Sequence, residues 1–322
     1  PVMRVNSAEQ SASTPRSLWI DALVGVPTVG REQWQLAPGL LRWLVATRAS
    51  VLLLTLCSVL FAVSLAWPGT AADWLLAALV LFAMLLAHAT NNLINDYVDH
   101  RRGLDRDNYF RTQYGVHLLE SGVCDARDFL RMLVGTGVSA LLLGLVICLL
   151  VGGWAYAFAA AGALLVLFYT YPLKHWALGE LAVWAAWGPL MVGGTHYCIT
   201  GTVGADIFWA GLVFGLGPTV VIFAKHTDKA VQDRDKGVLT LPVALRPVLG
   251  EVGVRLLIPS LALAQLAGAV CYSLFFSAYG LLGVLLGLPA LYKLLRLAAE
   301  PRPLACPREY SKQAWPLWYT TY

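Results

Sequence analysis

Two clusters of oxygen-bearing side chains hold the chemistry legible in this sequence. The first runs from Asn91 to Asp105 and reads Asn-Asn-Leu-Ile-Asn-Asp-Tyr-Val-Asp-His-Arg-Arg-Gly-Leu-Asp. On a helix continuing to His100, Asn92, Asn95, Asp96 and Asp99 recur at spacings of three and four, so they share one face. Gly103 then ends the helix, and Asp105 folds back toward the same pocket. The second cluster, residues 225–237, sets Asp228, Asp233 and Asp235 among Lys225, Lys229, Arg234 and Lys236. Asp228 and Asp235 fall on one helical face, with Asp233 displaced unless the helix breaks between them. Crowded carboxylates repel one another and take up protons unless cations neutralise them. With amides alongside and Arg101, Arg102, Arg106, Arg111 and the lysines nearby, they suit Mg²⁺ bound through one or two carboxylates plus substrate phosphates. Both signs of charge together fit a diphosphate held by metal on one side and by ammonium or guanidinium on the other.

What must position these clusters is a membrane. Of 322 residues, 58% are hydrophobic and 13% charged, against roughly 25% charged in soluble domains. The mean hydropathy is +0.65. Disorder is excluded and a water-soluble globule fits poorly. Eight apolar runs are long enough to span: 41–67, 74–93, 129–152, 154–171, 178–200, 207–224, 252–276 and 279–297. Barrel-type alternation is absent. The connections 68–73, 152–153, 201–206 and 276–278 contain no Lys or Arg, whereas every base lies before or at the start of the first run, in the even-numbered gaps and adjoining helix ends, or after the eighth. That parity is the positive-inside signature. It predicts an integral membrane protein with its N-terminus and both acidic clusters on the cytoplasmic side, and it argues against a nucleic-acid partner.

The expected architecture is an all-α polytopic bundle: an N-terminal interfacial segment, 1–40, and a transmembrane domain, 41–322. Residues 1–39 lack the pattern of a cleavable signal peptide, and the aromatic end from Trp315 to Tyr322 reads as the start of a ninth span. Each acidic cluster follows an even-numbered span and is closed by a glycine. That repetition predicts two four-helix units around a central cavity. A solvated loop accounts for either cluster alone. It accounts poorly for both, in equivalent places, beside spans where charge is costly. The six cysteines have no paired spacing and read as packed hydrophobes. An EF-hand is excluded by its ligand pattern. A zinc site is unsupported, because His88, His100, His117, His175, His196 and His226 are scattered; each reads as a hydrogen-bonded or interfacial residue.

The residues resemble the UbiA superfamily of intramembrane prenyltransferases over about 43–297. Asn95-Asp-Tyr-Val-Asp99, continuing through Gly103 and Asp105, is similar to the N-D-x-x-D motif of the naphthoate-prenylating branch. Asp233 through Gly237 with Thr240-Leu-Pro242 resembles the second aspartate motif and its tail. Tyr169-Thr-Tyr-Pro172 with Gly179-Glu180 resembles the connection between the fourth and fifth spans, and Arg48 the arginine entering the first. Two departures stand out. Lys229 occupies the place, four before Asp233, where the family usually has Asp, with Asp228 one position earlier. Gly103 takes a third acidic position, leaving Asp105 as substitute. Either the second metal site is built differently or Lys229 binds phosphate directly. The family usually has nine spans.

The resemblance implies transfer of an isoprenoid chain from a prenyl diphosphate to an aromatic or other lipid-soluble acceptor, among membrane lipids, with Mg²⁺. Asp96, Asp99 and Asp233 are then the catalytic acids. The expected metal ligands are Asn95, Asp96, Asp99, Asp105, Asp228, Asp233 and Asp235. Arg48, Asn92, Arg111, Lys174, Lys225 and Lys229 are the expected substrate contacts, with Tyr169, Tyr171 and Trp184 shielding the allylic cation. Glu180 is either a first-turn acid that complements the helix dipole or a group that orients or deprotonates the acceptor. Residues 109–120 form a loop that covers the site or an ordinary surface segment. Two other functions stay open. One is a membrane terpene cyclase of the same fold acting without acceptor. The other is a transporter, disfavoured because the acids sit at helix ends on one side. The sequence leaves the acceptor, the donor's chain length and the oligomeric state undetermined.

Overall fold

The computed structural model describes residues 15–104, 106, 117–276, 280–301, 316, 317 and 321. Asp105 and Arg111, both expected at the site, lie outside the described residues, as do most of the positions after 301. Among the described residues the chain is helical, with one isolated bridge between Trp176 and Leu239. Three short helices come first: α1 (Pro15–Val24), α2 (Arg31–Leu36) and α3 (Gly39–Ala46). They are followed by α4 (Leu53–Ala66), α5 (Ala71–Arg101), α6 (Ala126–Val151) and α7 (Ala155–Phe168). The second half contains α8 (Gly179–Ala185), α9 (Met191–Thr200), α10 (Ala205–Asp228), α11 (Ala230–Asp235), α12 (Leu241–Phe275) and α13 (Gly280–Ala299).

Five of these segments are long and apolar enough to cross a bilayer: Ala49–Ala66, α5, α6, α10 and α12. The other three expected runs are helical but short, interrupted or later in the chain. The outward faces of the long helices are apolar, with Leu141, Leu142, Leu145, Leu149 and Leu150 of α6 all exposed. Such a surface is stable only against lipid. This is an all-helical, polytopic membrane bundle.

Two runs that read as single spans are broken, and α12 is interrupted just ahead of a third, each for a local reason. The run 41–67 is divided at Arg48, whose backbone is left-handed (φ 56°), between α3 and a 3₁₀ turn at Ala49–Leu52. The run 178–200 contains a π-helical segment, Ala186–Leu190, around Pro189, which lacks the N–H an α-helix needs. In α12, Gly250 (φ 69°, ψ 177°) interrupts the helix shortly after Pro247; a non-glycine residue there would be strained.

Packing holds the cavity walls in place. The π segment meets α10 at glycines: a Cβ on Gly188 would collide with the Gly211 carbonyl, and one on Gly215 would lie 2.6 Å from the Trp184 carbonyl. Close backbone approach of this kind is how small residues drive helix association in lipid. At one end of the bundle, Leu18, Ala22, Val29 and Trp34 of the N-terminal segment pack with Leu93, Leu118 and Phe129 in one hydrophobic cluster. The segment thus caps the end of α5 where its acids lie.

Candidate active site

α5 is started by a capping box, Thr70 Oγ1 accepting from the Asp73 N–H at 3.2 Å and the Asp73 carboxylate from the Thr70 N–H at 2.9 Å. It then runs unbroken through the first acidic cluster to Arg101, so the helical spacing read from the sequence is realised as one inward stripe. Asn92, Asp96 and Asp99 are buried on it and Asn95 half-buried. Each polar group meets another element. Arg48 Nη2 lies 3.0 Å from Asp96 Oδ1 and donates to the Asn92 carbonyl at 3.2 Å. The Asn92 amide donates to the Thr47 carbonyl at 2.8 Å, which fixes the strained turn in return. Lys174, in the 3₁₀ turn Leu173–His175, reaches both Asp99 oxygens at 3.1 and 3.0 Å, with both residues buried. The Asn95 amide donates to Thr170 Oγ1 at 3.4 Å.

The second cluster is built differently. α10 ends at Asp228, Lys229 adopts non-helical angles, and α11 restarts at Ala230. This break turns Asp233 inward together with Asp228, while Asp235 stays exposed and pairs with Arg234 at 3.7 Å. Lys229 Nζ approaches Asp233 Oδ1 at 3.5 Å within the same turn. Asp228 Oδ2 accepts from the Leu317 N–H at 2.7 Å.

The two clusters meet at one end of the bundle. Lys236 donates to the Leu104 carbonyl at 2.9 Å and also to the Arg106 carbonyl. The Ala177 N–H donates to the Leu239 carbonyl at 2.7 Å, joining the fourth-to-fifth connection to the second cluster. His175, next to Lys174, lies within electrostatic reach of Asp233. Partial burial, with Lys174 and Arg102 nearby, holds its imidazole below the ordinary histidine value, against the opposing pull of the Thr170 carbonyl and Asp233. Its Nε2 therefore accepts from Arg102 Nη1 at 3.3 Å while Nδ1 donates to the Thr170 carbonyl at 3.1 Å.

Between the halves lies a cavity of about 230 Å³. Its mouth is polar, formed by Arg48, Asn92, Asn95, Lys174, Lys225, Asp228 and Lys229. Its bore is apolar, walled by Leu54, Met84, Leu165, Leu190, Met191 and Val221. A charged mouth above a greasy bore matches an amphiphile with an anionic head and a hydrocarbon tail.

Comparison with known proteins agrees with this geometry. The model of the UbiA prenyltransferase family matches residues 52–317. The chain belongs to the UbiA prenyltransferase family. It is a prenyltransferase enzyme. It is 29% identical over 277 residues to 1,4-dihydroxy-2-naphthoate octaprenyltransferase of Escherichia coli K12, covering 82% of this chain and 87% of that protein. The protein of the same name from Haemophilus influenzae is 28% identical over 252 residues, 74% of this chain and 80% of the relative. UbiA prenyltransferase domain-containing protein 1 of Danio rerio is 26% identical over 199 residues, 58% of this chain and 55% of its own length. No solved structure matches the chain.

Family membership makes the placement of each expected residue informative. Arg48, Asn92, Asn95, Tyr169, Lys174, Lys225, Asp228 and Lys229 line the cavity. Asp96, Asp99 and Asp233 are buried directly behind it, held by Arg48, Lys174 and Lys229. Asp235 and Tyr171 do not join them. Tyr171 is exposed beneath the Arg102 guanidinium, 3.8 Å from the ring centroid, because the turn after α7 alternates Tyr169 inward and Tyr171 outward. Trp184 is likewise spent on structure, its indole N–H donating to the Leu212 carbonyl at 2.9 Å. Glu180 is neither exposed nor at a solvated helix start: it is 1% exposed and bonds His226 Nδ1 at 2.6 Å and the Leu241 N–H at 3.3 Å. The Glu180–His226 pair had no sequence signal beyond residue type, because its members lie on different helices 46 positions apart. Among the described residues no three His, Cys, Asp or Glu side chains group tightly enough to hold a metal by themselves.

Proposed function

We propose that this enzyme transfers an isoprenoid chain from a prenyl diphosphate to an aromatic, quinone-precursor-like acceptor, at the cytoplasmic face of the membrane and with Mg²⁺. The observation that carries the reading is a cavity with a cationic and amide mouth and an apolar bore. The names of the two bacterial relatives support the aromatic acceptor, and the one-sided distribution of Lys and Arg supports the cytoplasmic side.

The donor set suits Mg²⁺: carboxylate and amide oxygens only, too few together for a closed all-protein cage, which is how this ion binds alongside phosphates. Asn95, Asp96, Asp99, Asp228 and Asp233 would hold it, and when bound it would neutralise the diphosphate charge. The chain's own side chains do the rest. Arg48, Lys174, Lys225 and Lys229 offer fixed positive charge to the phosphate oxygens in a site sheltered from water, where such charge stabilises the leaving group as the C–O bond ionises. Lys174 and Lys229 are already neutralised by Asp99 and Asp233, so they are presented without the full cost of burying an isolated ammonium. Tyr169 supplies an aromatic wall at the mouth, and the apolar bore takes the isoprenoid tail and keeps water from the allylic cation. With two motif positions altered, phosphate binding by Lys229 is the reading we favour over a rebuilt second metal site.

The test is turnover by the purified full chain in nanodiscs with a prenyl diphosphate, Mg²⁺ and 1,4-dihydroxy-2-naphthoate. Prenylated product that disappears with EDTA and returns with Mg²⁺ is expected. Hydrocarbon or terpene alcohol formed without acceptor would instead establish a cyclase. Metal-dependent flux across proteoliposomes without chemical change would establish a carrier.

A further inference from the structure

A polar notch is set into the otherwise apolar bore. Its centre is His88, on α5 one turn below Asn92 and about 12 Å along the helix axis from Asp96 at 1.5 Å per residue. His88 lines the cavity and is 7% exposed. Its Nδ1 lies 2.8 Å from Thr55 Oγ1, and its ring stands edge-on to Trp187 at 4.9 Å between centroids. Nε2 has no hydrogen-bond partner among the described residues. In the tautomer in which the hydroxyl donates to Nδ1, Nε2 carries the proton and presents an N–H donor beside an aromatic wall.

An N–H donor open to the cavity on an otherwise buried side chain calls for an acceptor there, whereas a leucine at this place would call for none. The isoprenoid tail cannot satisfy it, since it carries no oxygen. The acceptor can. The reacting carbon of the donor adjoins the diphosphate at the mouth, and the ring it joins has to come within bonding reach of it; His88 and Trp187 line the cavity in the next layer down, at the top of the bore. Building on the aromatic-acceptor reading above, we infer that His88 Nε2–H donates a hydrogen bond to a ring oxygen of the acceptor, against the Trp187 face, and thereby selects an oxygenated aromatic. His88 is here a specificity-determining contact. Thr55 is its positioning residue, fixing which ring nitrogen carries the proton.

Steady-state kinetics of the full chain in nanodiscs, with 1,4-dihydroxy-2-naphthoate and a prenyl diphosphate varied separately, decides this. His88→Leu is expected to raise the acceptor KM about 10- to 100-fold, the effect of losing a hydrogen bond in a site built for one, while the donor KM stays within about twofold. His88→Gln, which keeps an N–H donor of similar reach, should recover most of that loss. Thr55→Val should move the acceptor KM the same way by a smaller factor, and it gives a second reading should His88→Leu fail to fold. An unchanged acceptor KM in folded His88→Leu or Thr55→Val, or an equal rise for donor and acceptor, overturns the inference and leaves the proposed function standing. A wild-type enzyme that turns over no aromatic acceptor overturns both.

Discussion

The two acidic regions look alike as sequences and differ as structures. The first lies on one continuous helix, and its acids are matched by bases brought from elsewhere: Arg48 from the turn before α4 and Lys174 from the turn after α7. The second lies across a helix break, and Asp233 is matched by Lys229 four residues away in the same turn. A buried pair between distant elements ties activity to the integrity of the fold. A pair within one turn can exchange its partner for a ligand with little disturbance elsewhere. The comparison assigns the first region to holding the bundle and the site together, and the second to responding to the substrate.

The largest contrast is expected at Asp99. Asp99→Ala should abolish product formation, by more than about 10³-fold, since both charge placement and geometry are lost. It should also lower stability by about 3–5 kcal/mol, because one partner of a buried ion pair is removed. The double variant Asp99→Leu with Lys174→Met should recover the melting temperature without recovering activity. A single variant that melts like the wild type would break the proposed division between the regions.

Asp233→Ala should reduce turnover on the order of 10²-fold, with a smaller melting shift than Asp99→Ala, measured in the same detergent. Equal shifts for the two would mean that the second region is as much a structural tie as the first. Lys229→Ala should raise the KM for prenyl diphosphate about tenfold and change kcat less, the pattern for a lost charge-assisted phosphate contact. A rise in catalytic efficiency would instead show that the lysine obstructs a metal site. The smallest effect is expected at Asp235, which is exposed and, among the described residues, paired only with Arg234. Asp235→Ala should stay within about twofold of wild type in both activity and KM for the donor, as surface ion pairs contribute little.

The contrast also marks how far sequence reasoning reaches. The stripe Asn92, Asn95, Asp96, Asp99 was legible because helical periodicity alone puts these residues on one face once the helix is known to continue. In the second region the same periodicity paired Asp228 with Asp235. The break at Lys229 pairs Asp228 with Asp233 instead and sends Asp235 outward. The difference lies in two backbone angles at one residue, which no spacing rule encodes. Tyr169 and Tyr171 were indistinguishable as residue types, and the turn after α7 separated them.

Composition, the parity of the basic residues and the acidic motifs depend on local chemistry and on the bilayer, a solvent whose demands are known in advance. They determined that the chain is a helical membrane protein and that Asn92, Asn95, Asp96 and Asp99 share one face of α5. The tertiary structure decided which base meets which acid, that Glu180 is tied to His226, and that His88, bonded to Thr55, lines the bore. Apart from the Lys229–Asp233 pair, each is a contact between elements distant in sequence. Such contacts depend on the rotation and depth of whole helices, set by close glycine crossings and by interruptions at Arg48, Pro189 and Gly250, so a pattern along one helix cannot contain them.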